Sequence, residues 1–205
     1  MPIIMISQLQ KLHLGCFDQV FNGWINTDIT PHIFLSKIPF LPFLFLKIGI
    51  ISEQRYLQYK QGMFSAIRYL NVTKRFPFDD AAFDFVFCSH LLEHLYPEQA
   101  IFCINETFRV LKRDGIVRIV VPDLDKIMQN YDSQKPEKFL EALFESKQKY
   151  SKNRHHWHYN ESSLTRILKK TGFSKIYRCE FREGRCADVT LIDNRPKSLF
   201  MEAVK

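Results

Sequence analysis

With 205 residues the chain can bury one substantial core, and its length favours a single domain over two. Hydrophobic residues at 46% and charged residues at 25% exclude general disorder. Five cysteines (Cys16, Cys88, Cys103, Cys179, Cys186), odd in number and without C-x-x-C spacing, point to free thiols in a reducing, cytoplasmic setting.

The net charge of +7 gathers between Lys147 and Arg185, through Lys149, Lys152, Arg154, Arg166, Lys169, Lys170, Lys175, Arg178 and Arg182. A solvated helix face and hairpin is the plainer reading, with an anionic substrate or partner the alternative. No nucleic-acid motif accompanies the charge, so nucleic acid is not expected.

The start, "MPIIMISQLQKLHLG", is apolar but lacks a basic segment and a cleavage site, so no signal peptide is expected. "LHLG" reads as a strand ending at Gly15, where a missing side chain lets the backbone approach a ligand. The next strand, "GWINTDI", ends at Asp28, a carboxylate placed to accept hydrogen bonds from ribose hydroxyls. The gap between Gly15 and Asp28 is shorter than the ≈ 20 residues of a dinucleotide fingerprint, and a full crossover helix barely fits. Without a third glycine to seat a pyrophosphate, a cofactor lacking bridging phosphates is favoured.

Ile33 to Ile51, "IFLSKIPFLPFLFLKIGII", is conspicuously apolar. Lys37, Lys47, Pro39 and Pro42 exclude a membrane span, and burial as core or lid is expected. A lipophilic substrate wall, a peripheral membrane contact or a homodimer face is the alternative. "SEQRYLQYKQGMFSAIRYL" then predicts a helix with Tyr56, Tyr59, Met63 and Ile67 on one face. Phe83 to Ser89 reads as a strand, and "HLLEHLYPEQAIFCINETFRVLK" as the helix after it. "RDG" turns the chain into the strand Ile116 to Pro122, whose β-branched content suits a sheet covered on both faces.

A charged helical pattern runs from Asp125 to Tyr150. "NESSLTRILKKTGF" is a helix capped by Asn160 and closed by Gly172, and "KIYRCEF" and "LFMEAV" form a closing antiparallel pair. Together these elements predict a doubly wound α/β sheet in one domain, 1–205, with the apolar stretch at about 30–69 as an insertion. In such sheets the residues just after the strands decide function.

His90, Glu93 and His94 spell H-x-x-E-H, which on a helix would put both histidines on one face, as in an inverted zinc-hydrolase motif. No third ligand with supporting spacing follows, so no metal is expected. Asp123, past the fifth strand, could orient an acceptor hydroxyl or cap the next helix. In "RHHWHYN", His155, His156, Trp157, His158 and Tyr159 crowd a loop that reads as an aromatic substrate wall or a packed loop.

Four blocks in order, "LHLGC…GWINTDI", "FPFDDAAFDFVFCSHLLEHL", "RVLKRDGIVRIVVPDL" and "HYNESSLTRILKKTGF", resemble the class I S-adenosylmethionine-dependent methyltransferases, in particular the small members with a shortened first crossover. The resemblance implies a mostly parallel, seven-stranded, Rossmann-like sheet ending in an antiparallel hairpin. It implies S-adenosylmethionine as cofactor, with the methionine part against Gly15, Cys16 and Phe17 and the ribose on Asp28 beside Ile29. Asn71 and Val72 would face the adenine, and Ser89 the methyl group.

The same resemblance makes His90 the candidate general base, with Asp123 beside it, and His155, His156, Trp157 and Tyr159 the acceptor wall. The implied partner is a small-molecule acceptor, hydrophobic or anionic, attacking through oxygen, nitrogen or carbon. Two departures stand out. Phe17 replaces a glycine where the cofactor passes, and Asn71 replaces an aspartate. They motivate an alternative, a binding protein of this fold without catalysis.

Overall fold

The computed structural model of the protein describes residues 9–144 and 154–205. Lys147, Lys149, Lys152 and the end of the helical pattern expected to reach Tyr150 lie outside the described residues.

Seven strands, β1 (Lys11–Leu14), β2 (Ile25–Asp28), β3 (Arg68–Tyr69), β4 (Phe83–Ser89), β5 (Leu111–Pro122), β6 (Lys175–Cys179) and β7 (Ser198–Val204), form one sheet in the order β3-β2-β1-β4-β5-β7-β6. All pairs are parallel except those of β7, which runs antiparallel between β5 and β6. This is the doubly wound sheet with an antiparallel end that the sequence predicts. The strand order reverses between β1 and β4, so Gly15 and Ser89 leave the carboxyl ends of adjacent strands and open the crevice where such sheets bind ligands.

Period-two alternation sorts each strand between two cores. Val117, Ile119 and Val121 of β5 join Leu199, Met201 and Ala203 of β7 in the larger core, while Ile116 and Val120 join Phe200 and Val204 in the smaller one. Arg118 also points to the second face and is fully buried, a charge hidden inside what reads as an apolar strand. Its Nε donates to Asp193 Oδ1 at 2.9 Å and its Nη1 to Glu202 Oε1 at 2.8 Å. Three main-chain amides, of Arg182, Arg185 and Cys186, complete the solvation of the two carboxylates. This network ties the segment between β6 and β7 across the second face of the sheet.

The crossover from β1 to β2 contains no helix, as the short spacing requires. Between β2 and β3 lie α1 (His32–Leu35), α2 (Leu41–Lys47) and α3 (Glu53–Lys60). The helix expected through Ile67 stops early, because Gly62 takes a left-handed φ of +72° and a 3-10 turn, Met63–Ala66, follows. Tyr56, Tyr59, Met63 and Ile67 therefore do not share one helical face. Ile33, Phe64 and Ile67 pack on Cys16 as a small core of their own.

The expectation that Ile33 to Ile51 is buried is corrected: within that run Ile33 and Pro42 are buried, while Phe34, Ile38, Phe40, Phe43, Leu44, Ile48 and Ile50 are exposed. Two prolines cut the run into pieces too short to present one continuous face to a core.

A second correction concerns the segment after β4. It is a 3-10 turn, Leu92–His94, and α4 (Pro97–Val110) begins only at Pro97. Proline suits the first helical position and pushes the residue before it to extended backbone, as Tyr96 shows with φ −67° and ψ 154°. His90 and His94 are thus not one turn apart on a helix. Beyond β5 come α5 (Leu124–Gln129), α6 (Pro136–Phe144), α7 (Glu161–Thr171) and the short α8 (Val189–Ile192). Asn160 caps α7 by accepting from Ser163 N at 3.0 Å, and Gly172 ends it at φ +117°. Helices α4 and α7 supply Ala100, Cys103, Ile104, Leu164 and Leu168 to the larger core.

Candidate active site

At the switch point a closed cavity of about 120 Å³ is lined by His13, Gly15, Cys16, Phe17, Ser89 and His90, with Asp18, Gln19, Asn194 and Arg195 completing it. Gly15 holds φ +67°, and a Cβ there would stand 3.0 Å from a methyl of Leu91, so glycine serves both the turn and the space. His13 forms part of the lining with Nδ1 3.2 Å from Asn26 Oδ1, and burial lowers its pKa to about 4 despite that bond. Burial also pushes the Cys16 thiol well above its usual range, so it is no nucleophile.

Phe17 adopts the left-handed conformation its glycine counterpart would prefer, φ +46°. Its ring leans out of the loop, 6.5 Å from the ring of His32 and 4.9 Å from the Arg55 guanidinium. The insertion therefore receives the Phe17 side chain. Arg55 also pairs with Asp18 at 3.2 Å, which fastens the loop to α3.

Asp28 accepts from the amides of Phe17 at 2.9 Å and Thr30 at 2.6 Å. It organises both loops, and each oxygen keeps a second lone pair for a ligand hydroxyl. Ile29 is exposed beside it. Asn71 spends its side-chain oxygen on the Thr73 amide (3.0 Å) and hydroxyl (2.8 Å), so the acceptor expected to meet an adenine amino group closes a local turn. Val72 packs into the larger core, which leaves only its main chain to face a ligand.

His90 borders two cavities. It sits at φ +49°, with Nε2 2.9 Å from Ser198 Oγ and Nδ1 2.9 Å from Glu93 Oε1. Besides the closed cavity it borders an open one of about 980 Å³. Pro122, Ile127, Phe139 and Ala142 give that cavity apolar walls, and Lys126, Lys138, Arg195 and Lys197 give it positive charge. A further space of about 430 Å³ adjoins His90, His155, Lys138 and Arg195.

Asp123 also lines the large cavity, but its carboxylate is buried and engaged: Oδ1 accepts from Asp125 N to cap α5, and Oδ2 accepts from Arg178 Nη2 at 3.1 Å. Its place is that of a cap. In the aromatic loop, Tyr159 is corrected from substrate wall to core residue, fully buried in the larger core. His155 is buried and borders the space of about 430 Å³. His156 stacks on Tyr96 with centroids 4.4 Å apart, and Trp157 is half exposed.

Asn194, Arg195 and Ser198, just before and at the start of β7, and Lys126, Lys138 and Phe139 on α5 and α6, are site residues that sequence reasoning missed. "DNRPKS" reads only as a turn, and nothing local signals that it closes the crevice.

Residues 51–119, a third of the chain, match the family described as a methyltransferase domain. A structure of an S-adenosylmethionine-dependent methyltransferase from Archaeoglobus fulgidus superposes with TM-score 0.58 at 14% identity, covering 97% of this chain and 87% of that one. Another, from Methanosarcina mazei, gives TM-score 0.56 at 17% identity over 100% and 98%. None of the curated proteins matches. Among the described residues no helix is long and apolar enough to cross a membrane. The fold is that of the S-adenosylmethionine-dependent methyltransferases, and the family match agrees with the class I resemblance carried by the sequence.

Proposed function

We propose that the protein transfers the methyl group of S-adenosylmethionine to a small acceptor that combines an apolar body with an anionic group. The observation that carries this reading is the position of His90, which borders both the closed cavity at Gly15 and the large cavity with apolar walls and basic side chains.

The residues present fit the cofactor. A volume of 120 Å³ is below the ~300–1,000 Å³ that holds a drug-sized ligand, so the closed cavity suits the methionine end, between Gly15, Cys16 and Ser89. The nucleoside then lies at the open edge, its ribose on the free lone pairs of Asp28. Bound there, the cofactor supplies a methyl group on a sulfonium that needs no further activation. Catalysis rests on holding the acceptor in line with it and away from water.

His90 takes the acceptor proton at Nε2. With its proton on Nδ1, at ion-pair distance from Glu93 Oε1, the ring carries its lone pair on Nε2, which the Ser198 hydroxyl meets at 2.9 Å until the acceptor takes its place, and the buried carboxylate stabilises the imidazolium as it forms. Lys126, Lys138 and Arg195 hold the anionic end of the acceptor; Phe139 and Ala142 hold its body. Apolar walls and basic side chains in one cavity support an acceptor of both characters.

The test is transfer of radiolabelled methyl from S-adenosylmethionine to a panel of apolar carboxylates and phosphate esters, beside their neutral counterparts. Label should pass to the anionic members, and His90→Ala should lower the rate by about 10²–10⁴-fold while cofactor binding persists. Cofactor binding with no transfer to any member would favour the non-catalytic binding protein.

A further inference from the structure

Glu93 is fully buried, and among the described residues no group donates a hydrogen bond to either carboxylate oxygen. His90 Nδ1 stands at ion-pair distance from Oε1, which leaves Oε2 without even that company. A buried carboxylate in this condition is costly unless a cation meets it. Among the described residues, a Glu93 oxygen, a ring nitrogen of His94 and a ring nitrogen of His155 lie within 4.8 Å of one another.

The scaffold around the three is already in place. The Glu93 carbonyl accepts from the amides of His156 at 2.7 Å and Trp157 at 3.2 Å, which pins the loop carrying His155 to the 3-10 turn carrying Glu93 and His94. His94 Nδ1 lies 3.2 Å from the Arg154 carbonyl, the kind of outer contact that fixes the tautomer of a metal-ligating imidazole. The imidazole rings of His94 and His155 are 5.0 Å apart and steeply inclined.

We propose that Glu93, His94 and His155 form a binding site for a zinc-like divalent cation. Two imidazoles and one carboxylate are a donor set that zinc takes readily, with its fourth position left to water. Bonds of about 2.0–2.2 Å in a tetrahedron put donor atoms roughly 3.4 Å apart, so donors that lie within 4.8 Å of one another close by at most about 1.4 Å around the ion. The two histidines of H-x-x-E-H do not act as a pair here. Glu93 and His94 instead recruit a histidine from far along the chain, and His90 stays with the crevice. The ion joins the loop at His155 to the end of β4 and so firms the acceptor wall.

Calorimetric titration of chelator-treated protein with zinc chloride, and of cobalt(II) followed by visible absorption, tests this without reference to methyl transfer. One equivalent should bind, at least about tenfold more weakly in Glu93→Gln, His94→Gln and His155→Ala, with His156→Ala unchanged. Circular dichroism identifies the variants that remain folded, and the half-buried His94 gives the mildest change. No stoichiometric binding by the wild type, or equal affinity in every folded variant, would overturn the site.

Between β2 and β3 the surface is apolar for a different reason. Phe34, Ile38, Phe40, Phe43, Ile48 and Ile50 are 41–69% exposed, in a stretch with no Asp or Glu between Asp28 and Glu53. Lys37 lies 5.6 Å from the Phe34 ring and Lys47 5.5 Å from that of Phe43. Apolar tips with ammonium groups beside them match lipid tails under anionic headgroups, whereas a second copy would set lysine against lysine.

We infer that this face docks on an anionic lipid surface. Vesicles containing phosphatidylglycerol should sediment the protein, less so at high salt, and pure phosphatidylcholine vesicles should carry down much less. Phe40→Ser/Phe43→Ser should abolish sedimentation while the protein stays folded, with Tm lowered by only a few degrees. No sedimentation with the anionic vesicles, or a solution dimer that the same variant dissolves, would overturn the inference.

Discussion

Replacing Phe17 by glycine separates what the ring does for the fold from what it does to the cofactor path. Relief of the left-handed backbone at φ +46° returns about 1 kcal/mol. Against it stands the loss of a ring that is 46% exposed, worth about 1 kcal/mol of burial, and of its contact with Arg55, worth ~0.5–1 kcal/mol. Glycine adds roughly 0.5–1 kcal/mol through the freedom of the unfolded chain. The balance is a loss of about 1–2 kcal/mol, seen by calorimetry as a Tm lower by about 4 °C in a chain of this size. Because the ring leans on His32 and Arg55, the affinity for S-adenosylmethionine should stay within about threefold of wild type. An affinity more than about tenfold tighter in Phe17→Gly would refute this geometry, since the ring would then occupy cofactor space.

Burial holds the His13 pKa at about 4, so the folded protein refuses a proton that the unfolded chain takes near 6.5. That contribution is complete above pH 6.5 and is lost as pH falls, by about 3 kcal/mol at pH 4. Urea midpoints should therefore drop with acid more steeply in wild type than in His13→Gln; equal slopes would count against a neutral buried imidazole. Arg118→Ala leaves two buried carboxylates uncompensated and should cost about 3–5 kcal/mol in urea unfolding, with Arg118→Lys in between. A loss below about 1 kcal/mol would mean that water reaches the network. Asn160→Ala removes the α7 cap and should cost about 1 kcal/mol in the same assay, and no change would deny the cap its role.

Elements whose signals are local could be read from the sequence. Asn160 and Gly172 bracket α7, and the apolar run Phe83 to Ser89 is β4 to the residue. Three things were not legible. Pro97 outweighs the helical pattern before it, so the H-x-x-E-H stretch becomes a tight turn and brings Glu93 and His94 to a histidine 61 residues beyond His94. The run from Ile33 to Ile51 looks like core, yet Pro39 and Pro42 leave it pieces too short to bury. Arg118 passes as one polar letter in an apolar strand because its partners stand 75 and 84 residues away.

The candidate site divides the same way. Gly15 could be read from its strand end, and Cys16, Phe17, Ser89 and His90 from the methyltransferase resemblance; all five line one cavity. The large cavity draws on the turn after β4, the end of β5, α5, α6 and the start of β7, five segments with no common spacing, so Arg195 and Phe139 carried no signal.

Calorimetric titration of S-adenosylmethionine into the wild type and Asp28→Ala tests the central claim most directly. The account predicts one cofactor per chain, bound at least about tenfold more weakly in the variant, because the ribose loses a charged acceptor. A folded wild type that binds none, or a variant that binds as tightly, would contradict it.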